Sequence, residues 1–346
     1  MTKTLEFGLD TFGDVTTGAD GDLLSQPQVI RNVIEEAVLA DRMGIDFFGV
    51  GEHHRRDFAV SAPEVVLAAI AARTERIRLG SAVTVLSSDD PIRVFQRFST
   101  IDAISNGRAE VILGRGSFIE SFPLFGYDLS NYEALFEQKL DLFSEIVSKD
   151  VVNYQGNWRA PLEDQRIYPP IAEGRLKTWI GVGGSPESVI RAVRYDMNLM
   201  LAIIGGDPAR FAPYVELYKR ASEQAGHTAG DIGVHSPGYV AETDEQARRD
   251  LFPHFKKIRD RLGRERGWPP VTEKDFENEI EHGSLYAGSP ETVAAKITKT
   301  AKTLGISRFQ MKYSAGTMEH EKLMQSIELY GSRVVLLVRD LLTPLS

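Results

Sequence analysis

Hydrophobic and polar positions alternate along the chain in two different patterns. Short apolar stretches, such as 5–9 and 46–50, have the character of strands, whereas apolar residues recur at helical spacing over 28–44. Gly44 supplies a signal for the C-terminus of that helix. The same alternation recurs at intervals of roughly 30–35 residues, the length of a strand–helix–strand unit. It predicts a parallel sheet with helices on its outside, either a closed barrel or an open sheet.

The later elements follow the same order. Further strands are predicted at 77–86, 109–114, 178–182, 198–203, 232–240 and 308–313, and further helices at 63–75, 91–105, 131–148, 186–195, 289–303 and 319–342. Eight strands with eight helices favour the α/β class and a (β/α)₈ TIM barrel. The charged, less regular segment 242–285 then forms an insertion between strands seven and eight, and a plausible lid. No linker divides the chain, so we expect residues 1–346 to form a single domain.

Composition and charge narrow the classes of function. The chain has 346 residues, a formal net charge of −9 and no cysteine. The absence of cysteine excludes disulfides, thiolate metal sites and a cysteine nucleophile. The acidic balance disfavours nucleic acid or an anionic membrane as a partner. No apolar run approaches the roughly 18 residues of a membrane span, and no secretory signal is recognised, so a cytoplasmic protein is expected.

The second strand leads into Glu52, His53 and His54, which the barrel places at its catalytic end. Neighbouring residues at a strand end point to opposite faces, so both histidines cannot easily bind one ion, and no metal site is predicted. The sequence leaves open whether His53 is catalytic or only caps a loop. Glu52 is either a general acid or base or an ion-pair partner of Arg55 or Arg56.

A candidate phosphate-binding turn lies at Gly181–Ser188, where a strand runs into glycines and a helix opens after Ser185. The N–H groups at such a helix start favour an anion. An ordinary strand–helix turn is the alternative, and the segment 288–292 is nearly the same. Arg115, after the fourth strand, either holds an anion or forms a surface ion pair. A nicotinamide fingerprint, Gly-x-Gly-x-x-Gly, fails at every Gly-x-Gly.

Several motifs in fixed order are similar to those of the bacterial luciferase-like flavin-dependent monooxygenase superfamily. They are Glu52–His54, Leu79–Leu86, Asp90–Arg93, Asp102–Arg108, Gly114–Gly116, Phe125–Asp128 and the strand–turn–helix at 178–193. The resemblance is dense over 44–145 and continues more weakly to the C-terminus. It implies a (β/α)₈ barrel, usually a homodimer, that binds reduced FMN, or a deazaflavin in some branches, at the carboxyl ends of its strands.

The resemblance also implies a reaction. A separate flavin reductase typically supplies reduced flavin, and dioxygen then oxygenates a small organic substrate. His53 matches the catalytic histidine, whose near-neutral pKa suits proton transfer, and Glu52 stands beside it. The cofactor contacts are carried over to Ala82, Val83, Arg115, Gly183, Gly184, Ser185 and Ser188. The bond between Ala82 and Val83 falls where relatives often have a non-proline cis peptide.

Two positions depart from bacterial luciferase. Glu133 stands where that enzyme has a second phosphate-contacting arginine, and Gly114 stands where it has a cysteine. Light emission is therefore not inferred. Two alternatives stay open: a deazaflavin-dependent dehydrogenase or reductase, and a non-catalytic flavin-binding barrel. Aromatic residues at 118–127 either line an apolar substrate pocket or only pin a loop.

Overall fold

The computed structural model describes residues 4–116 and 118–343, which contain a closed barrel of eight parallel strands. The strands are β1 Glu6–Thr11, β2 Phe47–Val50, β3 Arg78–Ser81, β4 Ala109–Gly114, β5 Lys177–Val182, β6 Asn198–Ala202, β7 Ile232–Val240 and β8 Arg308–Lys312. Each strand pairs with the next, and β8 pairs with β1 to close the ring. The predicted (β/α)₈ TIM barrel is confirmed.

Helices follow the strands on the outside of the barrel. They are α1 Gln26–Arg42, α2 Pro63–Ala71, α3 Pro91–Ser105, α4 Tyr132–Ser148, α5 Pro186–Arg194, α6 Ala212–Gln224, α7 Asp244–Arg266, α8 Glu273–Glu281, α9 Pro290–Leu304, α10 His320–Leu329 and α11 Val335–Leu342. Helices α7 and α8 form the insertion between β7 and β8. Within the described ranges, none of the helices combines the length and apolarity needed to cross a membrane.

Three predicted boundaries are wrong, and local contacts explain the first two. Strand three ends at Ser81 rather than at 86, because a cis peptide follows and the short strand Thr84–Val85 pairs separately with β4. Helix α2 ends at Ala71 rather than at 75, because the guanidinium of Arg108 donates a hydrogen bond to the carbonyl oxygen of Ala71. The helix predicted at 319–342 is divided by a π turn at Tyr330–Val334.

A buried ion cluster closes the amino-terminal end of the barrel. Arg308 on β8 and Glu110 on β4 are fully buried, with 2.8 Å between Arg308 Nη1 and Glu110 Oε2. The indole of Trp179 donates to the same oxygen at 2.8 Å. Burial alone would raise the pKa of Glu110, but the charge and hydrogen bonds of Arg308 outweigh it and hold that pKa below its usual range. The opposite end is therefore the accessible mouth.

Candidate active site

His53 follows β2 and lies in a cage of three phenylalanine rings at the mouth. Its imidazole centroid is 4.7 Å from the ring of Phe12, 4.5 Å from that of Phe58 and 4.9 Å from that of Phe118. Burial in this apolar cage lowers the pKa of His53 to about 4. The expected near-neutral pKa is therefore wrong, and the ring is uncharged at physiological pH. A neutral imidazole carries one N–H donor and one acceptor nitrogen.

The Glu52 side chain faces a different set of neighbours from His53. Its Oε1 lies 3.2 Å from His54 Nε2, and its Oε2 accepts a hydrogen bond of 3.2 Å from the backbone N–H of Val85. The ion pair suggested with Arg55 or Arg56 does not form, because Arg55 reaches Glu120 and Glu265 instead. In this arrangement Glu52 anchors the turn after β3. A role as acid or base stays a prediction.

The peptide bond between Ala82 and Val83 is cis, at the position that the sequence singled out. Two glycines make room for it. A Cβ atom on Gly51 would lie 2.6 Å from the carbonyl oxygen of Ala82, and one on Gly114 would lie 2.6 Å from Val83 Cγ2. The Val83 side chain thus fills the space that a side chain at Gly114 would need. Ala82 and Val83 face the mouth between β2 and β4, and their contact with a flavin stays a prediction.

The candidate phosphate turn follows β5 and ends at the start of α5. Ser185 caps this helix by accepting a hydrogen bond from the backbone N–H of Ser188, as predicted. Gly184 adopts a φ of +110°, which a side chain would disfavour. A Cβ atom on Gly183 would meet nothing within 4 Å. The turn therefore presents open backbone at a helix N-terminus, where an anion is favoured.

The second, similar turn at 288–292 is already filled by a carboxylate of the protein itself. Asp244 Oδ1 accepts a hydrogen bond of 2.6 Å from the backbone N–H of Ser289, and its Oδ2 accepts one of 2.9 Å from Thr292 Oγ1. An anion at the start of α9 thus comes from α7. This contact distinguishes the turn at 288–292 from the turn at Gly181–Ser188, although the two sequences are nearly the same.

Two arginines lie beside the N-terminus of α5 and share one carboxylate. Arg115 Nη1 hydrogen-bonds Glu133 Oε1, and Arg191 Nη2 lies 3.2 Å from Glu133 Oε2. Arg191 also donates to Ser188 Oγ at 3.0 Å and has only 10% of its side chain exposed. The sequence pointed to Arg115 and Glu133 but missed Arg191. Its position three residues after Ser188, one helical turn along, is the signal that could have found it.

A second histidine at the mouth was also missed. His235 on β7 lies with its Nδ1 2.9 Å from Asp10 Oδ2 on β1, and Gln310 Nε2 on β8 donates to the same oxygen at 2.8 Å. Its ring stacks on Phe12 at 6.2 Å, whereas His53 meets Phe12 edge-on. Along the sequence, the spacing of His235 from the other histidines has no metal-ligand pattern, so nothing local marks this residue. Only barrel closure brings these three strands together.

The chain matches the model of a known protein family over most of its length. The family model described as "Luciferase-like monooxygenase" matches residues 11–308, which include His53, Arg115 and Ser185. The chain belongs to the luciferase-like monooxygenase family. This membership confirms the resemblance and the predicted enzyme class, a monooxygenase. The match covers most of the barrel rather than one motif.

One curated relative and two solved structures show how far the likeness extends. The 4-hydroxyprotoasukamycin monooxygenase of Streptomyces nodosus subsp. asukaensis is 27% identical over 86% of this chain and 84% of its own. The oxygenating constituent of 3,6-diketocamphane monooxygenase from Pseudomonas putida, solved with FMN, has a TM-score of 0.78 at 20% identity and covers 97% of this chain and 99% of its own. An F420-dependent secondary alcohol dehydrogenase has a TM-score of 0.75 at 15% identity, over 97% and 100% of the two chains.

Proposed function

We propose that this protein is an FMN-dependent monooxygenase that uses reduced flavin and dioxygen to oxygenate a small organic substrate, with a separate reductase supplying the reduced flavin. One observation carries the proposal. The turn at Ala82–Val83, which faces the side-chain-free Gly114, and the open helix start at Ser185 lie at the carboxyl ends of β3 and β5, with only β4 between them. A flavin mononucleotide has the two matching parts, a flat ring and a phosphate.

The residues present fit this cofactor. The ring would lie against Ala82 and Val83, and the phosphate would be held by Arg115, Ser185 and Ser188 with the open backbone of the turn at Gly183 and Gly184. When bound, the flavin supplies the electrons that activate dioxygen. Arg191 adds a second positive charge next to Ser188. The solved relative with bound FMN supports this choice of cofactor.

The protein's own contribution to the chemistry is an imidazole at His53 that stays uncharged. The rings of Phe12, Phe58 and Phe118 surround it, and burial among them lowers the pKa of His53 to about 4. A neutral imidazole can donate one hydrogen bond and accept another without bringing a charge to the reacting atoms. We therefore assign His53 the task of orienting a reacting oxygen by hydrogen bonding.

A deazaflavin-dependent dehydrogenase is the second candidate, and two observations favour it. The F420-dependent alcohol dehydrogenase shares the fold over nearly the whole chain. In addition, the Glu133 carboxylate lies between the two arginines that a cofactor phosphate would use. A dehydrogenase would transfer a hydride without consuming dioxygen.

One set of measurements separates these functions. The purified protein would be titrated with FMN, riboflavin and F420, with flavin fluorescence as the readout, and then mixed with reduced FMN and dioxygen while oxygen uptake is followed. We expect binding of FMN over riboflavin and uptake of dioxygen. Binding of F420 with hydride transfer to or from an alcohol, and no uptake, would support the dehydrogenase. A protein that binds none of the three would contradict both functions.

We extend the proposal to the assembly and to the insertion. A homodimer is proposed from the family resemblance, and light scattering after gel filtration measures the mass. Two ion pairs join the insertion to the loop that follows β2. Arg55 Nη2 lies 2.5 Å from Glu265 Oε1, and Arg261 Nη1 lies 2.6 Å from Asp57 Oδ2. This position supports a lid, which protection from proteolysis by bound flavin would show.

A further inference from the structure

The mouth of the barrel contains a carboxylate–histidine pair that stands apart from the predicted catalytic histidine. Asp10 on β1 is fully buried. Its Oδ2 lies 2.9 Å from His235 Nδ1 and accepts a hydrogen bond of 2.8 Å from Gln310 Nε2. An ionised carboxylate only accepts hydrogen bonds. The proton of a neutral His235 therefore lies on Nδ1, and its Nε2 carries a lone pair.

The Nε2 nitrogen of His235 points away from Asp10 and has no hydrogen-bond partner among the described residues. This nitrogen is accessible to solvent at the mouth, because Nε2 is not a buried atom and 13% of the His235 side chain is exposed. Asp10 Oδ1 and Gln310 Oε1, in contrast, are buried without a partner in the described part of the chain. The Asp10 carboxylate is thus closed to solvent, whereas the Nε2 lone pair of His235 is accessible.

The two histidines of the mouth lie on either side of Phe12 but differ in their surroundings. His53 has three phenylalanine rings around it, and both of its ring nitrogens lack a partner in residues 4–116 and 118–343. His235 has the buried carboxylate of Asp10 on one nitrogen. Lys312 lies 4.9 Å from the centroid of the Phe12 ring and pairs with Asp14 at 2.9 Å, and the charges of Arg55 and Asp57 also act on His53.

We propose that His235, oriented by Asp10, is the proton acceptor of the mouth. Its Nε2 lone pair takes a proton from an O–H or N–H group of a bound ligand, so that one N–H bond forms as the ligand's bond to hydrogen breaks. No electrons leave either partner in this step. The buried carboxylate then balances the imidazolium charge, and the reverse transfer returns the proton. The assignment rests on the proposed flavin function, since the ligand comes to the mouth with the cofactor.

The first test uses the histidine resonances and needs no substrate. The chain has seven histidines, and His235→Asn identifies the ring signal of His235 by its disappearance. Asparagine can still donate to Asp10 from the place of Nδ1 but has nothing at the place of Nε2. We expect FMN to shift this signal in the unaltered protein.

The control is His227, whose Nδ1 lies 3.3 Å from Asp196 Oδ1 at the opposite end of the barrel. Its signal should not respond to FMN, and His227→Asn should leave flavin reoxidation unchanged. In His235→Asn, FMN should bind within about threefold of the original affinity. Reoxidation of bound reduced FMN by dioxygen should slow by about 100-fold and recover in part when imidazole is added.

The outcomes separate this proposal from the proposed function. If FMN binds but neither shifts the His235 signal nor is reoxidised more slowly in His235→Asn, the proton acceptor is not His235, and the flavin function stands. Slower reoxidation that imidazole does not restore, together with lost FMN affinity, would show only a structural role and would overturn the proposal. If the unaltered protein binds no FMN, both proposals fail together.

Discussion

Replacement of Glu133 by glutamine is expected to tighten the binding of FMN. The Glu133 carboxylate contacts both Arg115 and Arg191, the two guanidinium groups next to the helix start at Ser185. A cofactor phosphate at this place has to share these cations with a carboxylate of the same sign. Glutamine keeps the shape of the side chain and removes its charge, so the repulsion is lost and Arg115 is free for the phosphate, while Arg191 keeps its contacts with Glu137 and Ser188.

The size of the effect follows from distance and exposure. Two unit charges 4 Å apart interact by about 1 kcal/mol in bulk water and by about 4 kcal/mol at an effective dielectric constant of 20. The Glu133 side chain is 57% exposed, which favours the lower part of this interval. We therefore expect about 1–2 kcal/mol, equivalent to a Kd for FMN lower by about 5- to 30-fold.

The assay is a fluorescence titration of FMN and riboflavin with both proteins at low and at physiological ionic strength. Riboflavin lacks the phosphate, so its affinity should not change. The control variant is Glu35→Gln on α1, which breaks an exposed pair with Arg73. Unchanged or weaker FMN binding by a folded Glu133→Gln protein, or an equal gain for riboflavin, would refute the reasoning.

Three further predictions concern the mouth and its surroundings. Gly114→Cys should lower the free energy of unfolding in urea by about 1–3 kcal/mol, because the new Cβ would lie 2.6 Å from Val83 Cγ2; unchanged stability would contradict this packing. Arg55→Ala should speed proteolysis within 242–285, because it removes the 2.5 Å contact with Glu265, and equal cleavage rates would argue against a latched insertion. Between pH 6.5 and its folded pKa of about 4, His53 is protonated in the unfolded chain but not in the folded one, so stability falls as pH drops. Between pH 7 and pH 5, the free energy of unfolding in urea should therefore fall by about 1–2 kcal/mol less for His53→Gln than for the unaltered protein. An equal fall in the two proteins would show that His53 is not shielded from solvent.

The sequence alone determined the order and type of the barrel elements. Periodicity and helix start signals are local properties, and each strand–helix unit carries its own. The caps of α3 by Asp90 and of α5 by Ser185 are local in the same way, because a cap joins residues only two or three positions apart. The ordered motifs were likewise enough to identify the family, since each is a short stretch of consecutive residues.

Tertiary structure alone decided which side chains meet at the mouth. Asp10 and His235 are far apart in the chain and come together only when β8 joins β1 and β7 to close the ring. The charge state of His53 depends on rings from three different segments, so its low pKa had no local signal. The two similar helix starts differ for the same reason, because the carboxylate that fills the second one is Asp244, from another helix. Local interactions thus shaped the elements, and contacts between distant segments set the chemistry.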